Sequence, residues 1–323
     1  MTKERLGYAL LLVLAMLAPA WHALYPIDLM RILCFALFAC AFNLLIGYTG
    51  ILSFGHAAFF GTAGYVAGHA LKVFGLPTEL GLLLGALVAA GLGWVIGGLA
   101  IRRAGIYMTM ITLAMAQMVY FVFLQAPFTG GEDGLQDVPR GHLLGFIDLS
   151  NDYNAYYFVL GIFVFGFWLI HRTIHSPFGQ ILKAIRENEP RAISLGYDVA
   201  KYKLLAFILS AGLAGLAGAT KVFVFRFAAL ADANWPTSGE VVLMTLMGGM
   251  GTVLGPVVGA AILVELQDKL ADKVGSLVTT ILGAIFVFFV LVLRRGFVGE
   301  ALALGERVKR WRVRSAAKAR GGS

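Results

Sequence analysis

Few side chains in this sequence could do chemistry, and those few interrupt long apolar runs: Asn43, Ser53, His56, His69, Gln117, Lys221, Arg226 and Glu265. Polar groups in hydrocarbon are costly, so each marks a helix contact, an interfacial anchor or a transport path. Asn43, Ser53, His56 and Gln117, with Gly248, Gly249 and Gly251, are the candidates for a path. Asn43 and Gln117 also suit bonds between neighbouring helices, and Lys221 and Arg226 suit snorkelling near an outer helix end. Catalysis has little support. No Ser-His-Asp, Cys-His or paired-carboxylate arrangement is present, and His22, His142, His171 and His175 lack metal-ligand spacing. No Gly-Lys dipeptide occurs anywhere, so a Walker A phosphate loop is absent. Any ATP hydrolysis must come from another subunit.

The elements that position these residues are transmembrane helices. The chain is 59% hydrophobic and 14% charged, against about 25% charged in soluble domains. Apolar runs of spanning length recur without the alternation of a β-barrel. The fold class is therefore an all-α polytopic membrane protein. Spans are expected at 6–24, 29–47, 57–74, 80–101, 105–125, 153–171, 204–227 and 276–293, about eight helices. Lys3 and Arg5 before the first run would also fit a leader peptide; the many later helices favour an uncleaved first helix. Cys34 and Cys40 share one helix and point to different faces, so they do not pair.

Charge gives the orientation. Lys3 and Arg5, Arg102 and Arg103, the 172–203 loop and the 294–323 tail all fall on one side, the cytoplasmic one by the positive-inside rule. Both termini are then cytoplasmic. The formal charge of +8 belongs to these loops and the tail, so it is no nucleic-acid footprint. The 126–152 loop falls outside, with Glu132, Asp133, Asp137, Asp148 and Asp152 against Arg140.

Parity constrains the apolar stretch at 240–267. It must cross an even number of times, yet it is short for two full helices. Gly248, Gly249, Gly251, Gly255 and Pro256 interrupt it, which predicts a re-entrant pair of half-helices. Broken backbone survives at membrane depth only where protein or a water-filled cavity covers it. Residues 47–64 carry a second glycine-rich interruption. Two such segments in opposite halves are what an internal duplication would leave, although their similarity is weak.

The 172–203 loop is hydrophilic and patterned. Ser176-Pro177-Phe178-Gly179 opens it, and Gln180 to Asn188 is expected to be helical, with Ile181, Leu182 and Ile185 on one side. Pro190 starts a second short turn over Arg191 to Leu195, which Gly196 caps in the left-handed conformation. Such a piece could lie on anionic headgroups. Two short helices around a proline turn fit docking to a soluble partner better, since a headgroup-binding helix needs one unbroken apolar face.

Leu182-Lys183-Ala184-Ile185-Arg186-Glu187-Asn188-Glu189, followed by Ser194-Leu195-Gly196-Tyr197, resembles the ATPase-coupling loop of branched-chain amino-acid ABC transporter permeases of the LivM type. Asn43 to Gly50, Ser53 to Ala57, Gly105-Ile106-Tyr107, Thr129-Gly130-Gly131 with Gly134-Leu135, and Gly239 to Gly259 resemble the same family. The resemblance makes the chain one transmembrane permease domain of an importer. It implies a second homologous permease subunit, two cytoplasmic ATPases that bind ATP and Mg, an extracytoplasmic binding protein, the bacterial inner membrane as location, and no cofactor in this chain. Gly179, Leu182, Lys183, Ala184, Arg186, Glu187, Asn188, Glu189, Leu195 and Gly196 would form the coupling loop. At the Glu-Ala-Ala positions of wider importer permeases this chain has Pro190-Arg191-Ala192, and the glutamate is displaced to Glu189. The implied cargo is a branched-chain or other hydrophobic amino acid; urea, short amides and aromatic acids use related permeases. An ion-driven transporter and a membrane scaffold are the competing classes. The first lacks a chain of acidic residues for a proton relay, and the second would show no uptake in a complete complex.

Overall fold

The computed structural model describes residues 25–103, 105–143, 147–292 and 296–300. The expected span at 6–24 lies outside them, as do Arg294, Arg295 and the tail beyond residue 300. Helix α1 (Pro26–Thr49) opens with proline, whose missing N–H is harmless at a helix start, and stops at Gly50 in the left-handed conformation, φ 74°. Residues 50–55 are irregular. Then come α2 (His56–Lys72), α3 (Thr78–Ala100), α4 (Ile106–Gln125), α5 (Asp152–Ile174), α6 (Pro177–Glu187), α7 (Glu189–Ser194), α8 (Val199–Phe225), α9 (Trp235–Gly248), α10 (Gly255–Val274) and α11 (Val278–Val292).

Five described helices, α1, α3, α4, α5 and α8, are long and apolar enough to cross a membrane. The 57–74 expectation becomes the 17-residue α2, which starts one residue earlier and ends two residues sooner, at Lys72. The 276–293 expectation becomes the 15-residue α11. The span expected at 204–227 begins earlier, at Val199, where Asp198 caps α8 by accepting from Lys201 N at 3.2 Å. Its charged first turn had hidden that start.

Helices α1 and α8 form the centre. Their apolar stretches are 78% and 72% buried, against 22% for α4. Close approach rests on small residues. Gly81, Gly85, Ala89, Gly93 and Gly97 repeat along one face of α3. A methyl group on Gly85 would sit 2.7 Å from Ala63 O, and one on Gly215 of α8 would strike Ala89. This is the small-residue packing of membrane helices, which lets backbones approach and gain dispersion contacts. The outward faces carry Leu83, Leu87 and Trp94 of α3, Met118 and Phe121 of α4, and Phe165 and Trp168 of α5. Such an apolar exterior is the surface that hydrocarbon solvates.

The bundle has a loop end, carrying α6 and α7, and a far end. At the far end the 126–152 segment is folded. It contains two 3-10 turns (Pro127–Thr129 and Gly131–Asp133) and an antiparallel pair, β1 (His142–Leu143) with β2 (Ile147–Asp148), in the register His142↔Asp148. Leu135 bridges Ala228, and Arg140 Nη2 donates to Val224 O at 2.7 Å, so the segment is tied to the end of α8.

Helices α9 and α10 are two helices joined by a glycine turn, as expected, but they run over 235–274 rather than 240–267, and α10 at 20 residues is longer than the half-helix expected. Asn43 of α1 meets the turn between them, and Asp268 of α10 pairs with Arg31 of α1. Arg31 and Asn43 are twelve residues apart, about 18 Å at 1.5 Å per residue. The pair therefore dips from the far end to a depth near the loop end and returns.

Candidate functional site

The loop between α5 and α8 is a folded element. Ser176 caps α6, its Oγ accepting from Gly179 N at 3.3 Å, and Pro177 takes the first helical position. The helix thus starts three residues before the expected Gln180. Leu182 and Ile185 are buried, and Gly179 packs on the last carbonyls of α5, where a methyl group would collide with Ile174 O. Asn188 ends α6 and caps α7, accepting from Arg191 N at 3.0 Å. Gly196 closes α7 with φ 86°, and Tyr197 N returns to Ala192 O at 3.2 Å.

Ile185, Ala192 and Val199 form a small core of their own, flanked by Ile181 and Tyr202. Glu189 pairs with Lys203 of α8 at 2.7 Å. Its carboxylate is engaged inside the loop, which gives the displaced glutamate a structural partner. Lys201 bonds Asp198 and holds that carboxyl below the usual carboxylate range, so the α8 cap is charged at neutral pH. Ile193, Leu195 and Tyr197 stay exposed at 58%, 69% and 40%. Ala184, Arg186, Glu187 and Asn188 are exposed as well. An apolar cluster on a charged, self-packed loop at one end of a membrane bundle is a surface that a partner would cover.

Beneath the loop the two glycine-rich breaks meet. Asn43 Nδ2 donates to Thr252 O at 2.9 Å, and Asn43 Oδ1 accepts from Gly251 N at 3.0 Å. One amide thus satisfies both backbone groups of the turn between α9 and α10. Gly47 faces the same turn; a methyl group there would lie 2.8 Å from Gly251 N. Arg186 of α6 donates through Nη1 to Gly47 O. Lys183 Nζ lies 5.7 Å from the Tyr48 ring centroid, within cation–π range. Asn43, Gly251 and the loop residues Lys183 and Arg186 are therefore one site, with Gly248 and Gly249 just before the turn.

The remaining path candidates sit elsewhere in the core. Ser53 Oγ accepts from Gly55 N at 3.2 Å. His56 is fully buried, its Nε2 2.8 Å from Ser210 Oγ, which itself donates to Ala41 O at 2.6 Å; Phe42, Phe59 and Phe207 surround the ring. Ser238 of α9 accepts from Ala57 N at 2.9 Å and so caps the start of α2. Gln117 Nε2, on α4, is buried without a hydrogen-bond partner among the described residues. Cys34 and Cys40 are both buried and free.

Lys221 corrects the snorkelling reading. It pairs with Asp232, and its Nζ lies 5.7–5.9 Å from the ring centroids of Phe35, Phe60 and Phe225. Arg226 instead donates through Nε to Val138 O at 3.3 Å. The missed signal was Asp232 itself, an acidic residue a short way along the chain from Lys221 in a segment without periodicity.

Comparison with known proteins agrees with this architecture. A sequence model of the family described as "Branched-chain amino acid transport system / permease component" matches residues 29–295. The high-affinity branched-chain amino acid transport system permease protein LivM of Escherichia coli (strain K12) is 26% identical over 294 residues, covering 84% of this chain and 69% of that protein. The probable branched-chain amino acid transport permease protein LivH of Methanocaldococcus jannaschii is 25% identical over 231 residues, covering 67% and 70%. The ribose import permease protein RbsC of Bacillus subtilis (strain 168) is 31% identical over 183 residues, 52% of each chain. No solved structure matches. A family match that runs from α1 through α11, joined to a membrane bundle with broken helices and a folded loop at one end, shows that this chain belongs to the permease components of branched-chain amino acid transport systems.

Proposed function

We propose that the chain is a permease subunit of an ATP-driven importer for branched-chain or other hydrophobic amino acids, working by alternating access. The observation that carries this reading is the exposed Ile193, Leu195 and Tyr197 cluster on the α6–α7 loop. The loop faces the cytoplasm by its basic character, and an ATPase subunit covers the cluster. That subunit binds ATP and Mg, since this chain has no phosphate loop. A second permease subunit completes the path, and an external binding protein delivers cargo to the far end. The amino-acid class follows the family and the LivM and LivH relatives; the ribose permease among the relatives keeps the exact cargo a matter for measurement.

The test is a co-purification of the full chain with its ATPase. Burying one leucine-sized side chain contributes about 1.5–3 kcal/mol, and 1.4 kcal/mol is tenfold in affinity. Leu195→Asp, or Ile193→Asp, is therefore expected to weaken ATPase retention by about tenfold or more, with ATP-dependent uptake in vesicles falling in step. Undiminished ATPase binding when Ile193→Asp and Leu195→Asp are combined would overturn the docking surface. Uptake that persists without ATP and follows an ion gradient would overturn the importer class.

A further inference from the structure

We propose that Arg186 is the positioning residue that carries movement of the α6–α7 loop to the two glycine breaks, an inference that rests on the reading that an ATPase docks on that loop. The loop is folded as one body, seated on the main core through Leu182. Its small core of Ile185, Ala192 and Val199 and the Glu189–Lys203 pair fix α6, α7 and the start of α8 to one another. Its polar reach into the bundle from the C-terminal half of α6 runs through Arg186 and Lys183 to the last turn of α1.

The acceptor on α1 is a carbonyl with no backbone donor among the described residues. Gly47 O would need Ile51 N, but that group turns back to Leu45 O at 3.4 Å as the helix closes. Arg186 supplies the missing donor. Its stem packs over Gly50, where an added methyl would lie 3.2 Å from Cγ, and Nη1 is 3.3 Å from the methyl position of Gly251. One guanidinium thus stands against the end of α1 and the turn between α9 and α10. Asn43 ties the same two elements by two hydrogen bonds.

The breaks are built to bend. Gly50, Gly249 and Gly251 have φ of 74°, 118° and 76°, conformations with no side chain to block a change. Residues that absorb large backbone changes act as hinges between packed bodies. A hydrogen bond weakens steeply once stretched or misaligned. A small shift of α6 therefore withdraws Nη1 from Gly47 O and from beside Gly251, while Asn43 still ties α1 to the turn. The docked loop position and the closeness of the two breaks become one equilibrium, which is what coupling between sites requires.

The test uses the complete complex in proteoliposomes and reads cargo moved per ATP hydrolysed. For Arg186→Ala the expected result is about a tenfold fall in that ratio, with the ATPase still bound and the complex thermally as stable as Leu195→Asp. Arg186→Lys, which keeps a charge and one donor, recovers part of the ratio. Spin labels at Tyr48 and Thr252 report an ATP-dependent change in separation that the alanine variant loses. A parental ratio in Arg186→Ala overturns the proposal. So does loss of ATPase binding in that variant, which would make Arg186 a docking contact. If the alanine variant does not accumulate, Arg186→Gln decides by the same ratio. Failure of the docking reading shows separately, as ATPase binding that survives Leu195→Asp and Ile193→Asp.

Discussion

Lys221→Met is expected to lower stability by about 3–5 kcal/mol, the cost of leaving a buried charge without its partner. The orphaned group would be Asp232, whose side chain is 12% exposed beside an equally enclosed lysine. Asp232→Leu is expected to cost less. The lysine it leaves still lies among Phe35, Phe60 and Phe225, and a cation on an aromatic face retains about 0.5–2 kcal/mol. Its flexible stem can also carry the ammonium toward the interface, an escape the short carboxylate lacks. Lys221→Met combined with Asp232→Leu should recover most of the loss, because removing both charges removes the desolvation of each. Equilibrium unfolding in mixed micelles measures all three. A lysine variant within 1 kcal/mol of the parent, or a double variant no better than the single, would contradict the pairing.

The asymmetry explains why the sequence misled at this position. Lys221 falls near a helix end, and a lone lysine there reads as an anchor. The pairing depends on a turn, residues 230–233, that packs against α2 at Gly61, and no local periodicity announces it. The helices themselves were legible, since hydrocarbon demands long apolar runs and satisfied backbones. So were the proline turn and the glycine cap of α7, because Pro190 and Gly196 act through their own backbone. The i,i+4 run of small residues on α3, from Gly81 to Gly97, was readable in principle and marks the face against α2 and α8. Which groups meet across the bundle was not readable. Asn43 and Gly251 are separated by 208 residues, and Arg186 and Gly47 by 139. Glycine content flagged both breaks without saying that they touch.

Gly259→Ala is expected to disable the protein more than its single added methyl suggests. That methyl would collide with Met244 O and lie 2.8 Å from Gly248 N. Both obstacles are backbone, so no side chain can rotate away and the two helices must separate. Overpacking a core usually costs about 1–3 kcal/mol, and a backbone-to-backbone crossing belongs at the upper end of that range. Gly248→Ala meets the same crossing from the other side, striking Gly255 O. Separation would also pull the turn from Asn43, so uptake should fall further than stability does. Gly239→Ala supplies the contrast within α9. Nothing lies within 4 Å of its methyl position, and alanine is favoured over glycine in a helix by about 1 kcal/mol. That variant should be neutral or slightly stabilised, with uptake intact. Thermal unfolding of the three variants beside vesicle uptake decides the matter. If Gly259→Ala and Gly239→Ala behave alike, the crossing of α9 and α10 is looser than this packing requires, and the hairpin could not transmit a small shift from its turn to the far end.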